Sequence, residues 1–282
     1  MKLIIENMEL HVVLFSGGRT SAFLAKYIKE NPKYKNCIFV FMNTGKEREE
    51  TLLFADKCDK KFNLNLVYLE ASINNEKGKG TTYKIVDFET ASRNGEPFEA
   101  MLSKYPLPNN MASNCTRELK QRPIDAYLRD NYKDFDIIRI VGIRADEAHR
   151  KSVNAETEKV IYPLCDEIKV DSKFIRTWWE KQSFDLQLKD YEGNCDLCFK
   201  KSLKKRLTII KENPNVADWW LKMEKKYSSE SIPRFDLRTN KSIEQLVEMA
   251  KQPFTRAEDL HELSKQQCDL FEFETDCFCK AS

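Results

Sequence analysis

"HVVLFSGGRTSAFLAKYI", residues 11–28, decides how the rest of the chain is read. Its first five residues form an apolar run of strand length. From residue 19 the apolar positions fall at Phe23, Leu24, Tyr27 and Ile28, the spacing of one helix face. Between them lie Ser16, Gly17, Gly18, Arg19, Thr20 and Ser21. Successive glycine amides can form an anion-binding nest, and a helix N-terminus adds free N–H groups and its dipole. No Gly-Lys-Ser/Thr closes the loop as in a Walker A motif, and no third glycine completes a dinucleotide fingerprint. The hydroxyls, the amides and Arg19 suit a pyrophosphate; a tight turn with a good helix cap is the plain alternative.

The same alternation continues downstream. "CIFVFMN" (37–43), "LNLVYLE" (64–70) and "FDIIRIVGIR" (135–144) read as buried strands. "REETLLFADKCDKKF" (48–62) and "TRELKQRPIDAYLRDN" (116–131) read as helices, with Pro123 marking a kink or restart. Apolar strands alternating with helices predict an α/β fold with a parallel sheet flanked by helices. Ligands bind beyond the C-terminal strand ends of such sheets, where Ser16, Asn43 and Arg144 fall. The polar stretch that follows the third strand and runs to about residue 113 reads as an insertion or mobile loop. From residue 172 the pattern turns helical. These features predict a nucleotide-binding domain over 1–212 and a helical C-terminal extension over 213–282 with a cysteine-rich tail.

The 282 residues carry a net charge of only +2, so any nucleic-acid surface must be a local patch. No apolar run is long enough to span a membrane, and the N-terminus lacks a signal-peptide pattern. A cytoplasmic location is expected. Nine cysteines, an odd number, then argue for metal or redox chemistry over a disulfide framework. Cys37, Cys58 and Cys165 read as inert, buried thiols. Cys115, the pair Cys195 and Cys198, and the tail group Cys268, Cys277 and Cys279 remain for chemistry. "FKKSLKKRL" (199–207) offers a basic helix, although such runs usually face solvent. The tryptophan pairs Trp178-Trp179 and Trp219-Trp220 read as core.

"SGGRTSA" (16–22) resembles the SGGxxS loop of the PP-loop ATP pyrophosphatases, the adenine nucleotide alpha-hydrolase-like group. "FMNTGKEREET", "NCTRELKQRPIDAYL", "VGIRADEAHR" and "GNCDLCFKK" resemble, in order, four motifs of its phosphoadenosine phosphosulfate (PAPS) reductase branch. The resemblance implies a five-stranded sheet with adenosine over the strand ends and phosphates on residues 16–21. It also places Asn43, Thr44 and Gly45 near the nucleotide. The residue chemistry agrees. Arg144 and Arg150 flank a strand end and can hold oxyanions bidentately, and Lys120 and Arg117, one helical turn apart, can face the same anion.

Iron–sulfur members of that branch use a Cys-Cys pair before the Lys-x2-Pro helix and a distant Cys-x2-Cys. By resemblance, Cys115, Cys195 and Cys198 are three ligands of a [4Fe–4S] cluster, but Thr116 stands where the fourth is usual. Cys277 or Cys279 could complete the set, with Cys279 the leading choice, or one iron could stay open; a structural Zn2+ site is the alternative. The Glu-Cys-Gly-x-x-His tail of sulfite-forming reductases is absent, and His261 lies too far upstream to fill its role. The retained SGG loop favours ATP over PAPS or adenosine phosphosulfate (APS).

The leading expectation is therefore ATP-dependent adenylation of an acceptor with Mg2+, followed by Fe–S-assisted sulfur transfer. Arg19, Lys120 and Arg144 would stabilise charge, and Cys277 or Cys279 would carry sulfur. A sulfur-donor protein and a nucleic-acid acceptor are candidate partners. A PAPS or APS reductase, and a nucleotide-binding partner subunit without turnover, are the competing readings. Thr20, where many ATP pyrophosphatases have Asp, keeps the last one open.

Overall fold

The computed structural model describes residues 8–76, 78–109 and 111–259. Cys268, Cys277, Cys279 and His261 lie outside these residues. Strand β1 (Glu9–Phe15) leads through the glycine turn into helix α1 (Arg19–Glu30), then β2 (Cys37–Asn43), α2 (Glu49–Phe62) and β3 (Val67–Ile73) follow. Next come β4 (Thr81–Val86), α3 (Glu96–Leu102) and a short turn α4 (Asn114–Thr116). The α4 turn runs through a π-helical segment, Arg117–Gln121, into α5 (Arg122–Asn131). Beyond β5 (Asp136–Val141) lie β6 (Val160–Ile161), α6 (Pro163–Asp166), α7 (Ser172–Glu180), α8 (Leu203–Glu212), α9 (Val216–Tyr227) and α10 (Ile243–Lys251).

The sheet order is β4-β3-β2-β1-β5-β6, parallel except for the β3–β4 pair. The expected parallel α/β sheet is present, with six strands in place of five. The added antiparallel strand, β4, falls in the stretch read as a loop. As an edge strand it buries only Thr81 and Val86, so its sequence carries no apolar run. Strand β3 begins three residues later than its apolar pattern suggests. Asn63 and Asn65 take left-handed conformations after α2, so Leu64 and Leu66 pack into the core from a turn.

Central strands are covered on both faces. One apolar cluster joins Val13, Phe15, Phe41 and Phe54 to Trp179; another joins Leu10, Val12, Val40 and Leu69 to α5. A third joins α3 to the C-terminal helices, and it includes Leu207 and Ile210 of α8 with Trp220 of α9. The helices on either side of residue 212 thus share one core. Trp179 and Trp220 are fully buried, while Trp178 and Trp219 pack at the cluster edges. Cys58 is buried; Cys37 and Cys165 are half-buried, a small departure from the expectation of sealed thiols. No helix among the described residues is long and apolar enough to cross a membrane.

A fully buried ion pair, Arg206–Asp236, ties α8 to the segment before α10. Burial opposes the Asp236 charge, but the Thr239 hydroxyl and Arg206 outweigh it and hold the carboxyl below its usual range. Asp236→Ala leaves Arg206 buried without its partner and should cost about 3–5 kcal/mol in urea unfolding. Because the folded-state carboxyl is depressed, its stabilisation is present above an unfolded value of about 3.9 and fades as pH falls further. The variant should lack that acid-dependent component.

Candidate functional site

Gly17 sits at φ +75°, and a Cβ there would lie 2.4 Å from Thr51 Cγ2. Only glycine fits this turn, which aims the start of α1 back across the end of β1. Gly18 is the α1 N-cap in extended conformation and has no side-chain cap, so the first-turn N–H groups of α1 remain available. The Ser21 hydroxyl donates to Gly18 O at 2.9 Å and accepts from the Ser16 N–H at 3.1 Å. This ties both ends of the loop together.

The loop opens into a cavity of about 590 Å3, whose walls include Ser16 to Ser21, Thr51, Arg144, Arg150 and Arg176. That volume lies within the usual range of about 300–1,000 Å3 for small-molecule sites. Arg144 is held from two sides, by Asp146 at 2.9 and 3.1 Å and by the Thr20 hydroxyl at 3.0 Å. Thr20, which stands where many ATP pyrophosphatases have Asp, therefore orients a cavity cation. Arg176 Nε and Thr51 Oγ1 are buried on this wall without hydrogen-bond partners among the described residues. Together with the glycine cradle, these unpartnered donors fit an anionic ligand. The Arg19 guanidinium turns away from the cradle: it pairs with Asp185 at 2.8 and 3.0 Å and donates to the carbonyls of Leu186 and Leu188.

A second cavity, of about 480 Å3, is lined by Thr44, Cys115, Thr116, Lys120, Cys195 and Cys198, together with Lys200, Lys201 and Lys205. Cys115 and the distant pair Cys195 and Cys198 thus line one cavity. Burial pushes the Cys115 and Cys195 thiols up. Burial works against the Lys120 charge too, but Glu47 and the three sulfurs outweigh it and raise its pKa. Lys201 is pushed down to about 8 by burial; its Nζ donates to the carbonyls of Tyr191 and Gly193. Among the described residues, no three His, Cys, Asp or Glu side chains converge on one ion.

Other expected site residues lie elsewhere. The Asn43 side chain is consumed by the fold, donating to Glu70 and to the Ser92 carbonyl while accepting from Gly45 N–H. Gly45, at φ +76°, packs against Gly95 and Pro97. Thr44 faces the thiols, its Oγ1 3.5 Å from Cys195 Sγ. Arg117 pairs with Glu118 at 2.7 Å and lines neither cavity. The wider π turn carries it out of line with Lys120, which α-helical spacing had placed beside it.

Sequence reasoning missed what holds the Cys195 loop. Lys46 pairs with Asp196 at 3.0 Å and lies over the Trp219 ring, and Trp220 Nε1 donates to Asp196 at 2.6 Å. Arg48 pairs with Glu192 at 2.8 Å. The charged run after Asn43-Thr44-Gly45 was the available signal.

The two loop glycines should respond differently to substitution. Gly17→Ala should abolish nucleotide binding and lower stability, because Thr51 and the positive φ both resist a Cβ. Gly18→Ala, whose Cβ would meet only Ser16 Oγ at 3.8 Å, should fold normally. Calorimetry with ATP and thermal unfolding check both.

Residues 10–161 match the family described as the phosphoadenosine phosphosulfate reductase domain. The chain is 34% identical over 200 residues to the "Uncharacterized nin region protein ORF290" of Escherichia phage lambda, covering 70% of this chain and 68% of that protein. It is 26% identical over 151 residues to the "Uncharacterized protein MJ0066" of Methanocaldococcus jannaschii, covering 54% of this chain and 25% of that one. With its sheet, glycine cradle and motif order, the chain belongs to the phosphoadenosine phosphosulfate reductase domain family of the PP-loop ATP pyrophosphatase superfamily, a nucleotide-utilising group.

Proposed function

We propose that the chain is an ATP pyrophosphatase that adenylates an acceptor and prepares it for sulfur transfer. The observation that carries this reading is the uncapped α1 N-terminus behind Gly17, opening into a cavity large enough for a nucleotide and edged by cations. The β- and γ-phosphates of ATP would rest on the loop of residues 16–21, on the N–H groups that follow Ser16. Arg144, fixed by Asp146 and Thr20, would meet phosphate oxygens with little reorganisation. The carboxylates of Asp146 and Glu147 are engaged by Arg144, so Mg2+ would be held mainly by phosphate oxygens and water, where it offsets their charge.

An acceptor oxygen attacks the α-phosphorus, the bond to the β-phosphate oxygen breaks, and pyrophosphate leaves with that electron pair. The acceptor proton passes to water. A hydrosulfide donor then displaces AMP, which leaves with the electrons of the acceptor–oxygen bond; a cysteine persulfide would instead form an acceptor–S–S–Cys disulfide, which a second cysteine thiol attacks to release the acceptor thiolate and leave a protein disulfide. Cys115, Cys195 and Cys198 would hold a [4Fe–4S] group, which supplies a site for binding and delivering sulfide. Lys120 keeps a positive charge beside these thiols. Arg19 acts in this account as a brace for the loop through Asp185. Cys277 and Cys279 remain proposed sulfur carriers and Cys279 a proposed fourth ligand; both lie outside the described residues. The competing reading, a PAPS or APS reductase releasing sulfite, is favoured by the match to that family and by Lys120 beside the three thiols.

Anaerobically purified protein should release pyrophosphate from ATP when given acceptor. Arg144→Ala should lower kcat/KM about 10²–10³-fold, the usual effect of losing one preorganised donor. Orthophosphate as the sole product would contradict the proposal, and sulfite formed from PAPS with thioredoxin would establish the reductase. The same preparation should be brown and contain iron and acid-labile sulfide, and Cys195→Ala should lose both. A colourless, zinc-loaded protein would contradict the cluster.

A further inference from the structure

The phosphate-side and thiol-side cavities meet at one wall, made of Arg150, Asp190, Gly193, Asn194 and Lys205. Lys205 stands in the first turn of α8, where its own N–H is taken by the Ser202 hydroxyl at 3.3 Å. Its ammonium is exposed and has no carboxylate partner among the described residues. Arg150 is exposed as well and keeps one edge on Glu147. Asp190, the carboxylate on this wall, lies 3.8 Å from Arg19, which it shares with Asp185. Gly193 leaves space, since a Cβ there would meet nothing within 4 Å.

A group that reacts first on the phosphate side and then on the thiol side must lie between the two. With ATP on residues 16–21, this wall is the position open to a second substrate. Arg150 offers a planar fork and Lys205 a mobile point charge, a combination suited to a tetrahedral oxyanion. We propose that Lys205 and Arg150 form an anion subsite that binds a phosphate group of the acceptor, whether a phosphate monoester or a phosphodiester. The subsite rests on the ATP-dependent reading above. Lys205 would thus set acceptor specificity, and Gly193 would keep the passage open.

Calorimetry on the full chain, saturated with a non-hydrolysable ATP analogue, tests this with glycerol 3-phosphate and with a short single-stranded oligodeoxynucleotide. Binding of the first alone marks a small phosphate acceptor; binding of the second marks a phosphodiester. Lys205→Ala should weaken the binding probe about tenfold or more, the usual loss for a charge-assisted contact. Lys204→Ala removes the same charge from the same helix but outside both cavities, and should change it less than about twofold. Gly193→Leu should weaken the probe while the analogue still binds. If the analogue binds but neither probe does, or if the two lysine variants weaken a probe equally, the subsite is overturned and the ATP reading stands. If the wild-type chain does not bind the analogue, both fall.

Discussion

The contact between Gly17 and Thr51 fixes where the chemistry can happen. At φ +75° the chain leaves β1 and enters α1 with Thr51 of α2 filling the space where a side chain would be. That packing places the N–H groups at the start of α1 at the C-terminal edge of the sheet. Arg144 arrives at the same edge from the end of β5, because β5 pairs with β1 in parallel register from Glu9↔Asp136 to Leu14↔Val141. Thr20 and Asp146 then hold its guanidinium in place. A loop, a helix end and a distant arginine thus line one cavity through backbone geometry.

The second cavity depends on a different constraint. The Cys195-x2-Cys198 loop has no regular structure of its own, so other elements must hold it. Lys46 reaches it from the end of β2 through Asp196, and Trp220 reaches it from α9 through the same carboxylate. The residues after Asn43 therefore anchor the thiol loop. The C-terminal helices have a comparable part: by burying Trp220 and Phe199 in one cluster, they hold the sulfur side against the sheet.

Much of this was legible in the sequence. β1, α1, β2 and α2 follow directly from apolar periodicity, and the glycine pair marks the turn that joins strand to helix. The grouping of Cys115 with Cys195 and Cys198, which line one cavity, was implied only by the family resemblance. β4 was hidden because an edge strand with one wet face has little apolar signal. Arg117 was misplaced because sequence spacing assumes an α-helix, and the π turn before Pro123 breaks that assumption. Lys205 lies in the basic run 199–207 and Gly193 opens the Cys-x2-Cys motif, but local pattern gives no sign that the two stand where two cavities meet. The Arg19–Asp185 pair was equally invisible, since its partners are 166 residues apart.

The central claim is that residues 16–21 hold the β- and γ-phosphates of ATP. Calorimetric titration of one anaerobic preparation with ATP, AMP and PAPS tests it most directly. If the cradle holds those two phosphates, ATP binds about a hundredfold or more tighter than AMP, as expected for losing several charge-assisted hydrogen bonds, and also tighter than PAPS. Equal affinity for ATP and AMP, or a preference for PAPS, would contradict the account.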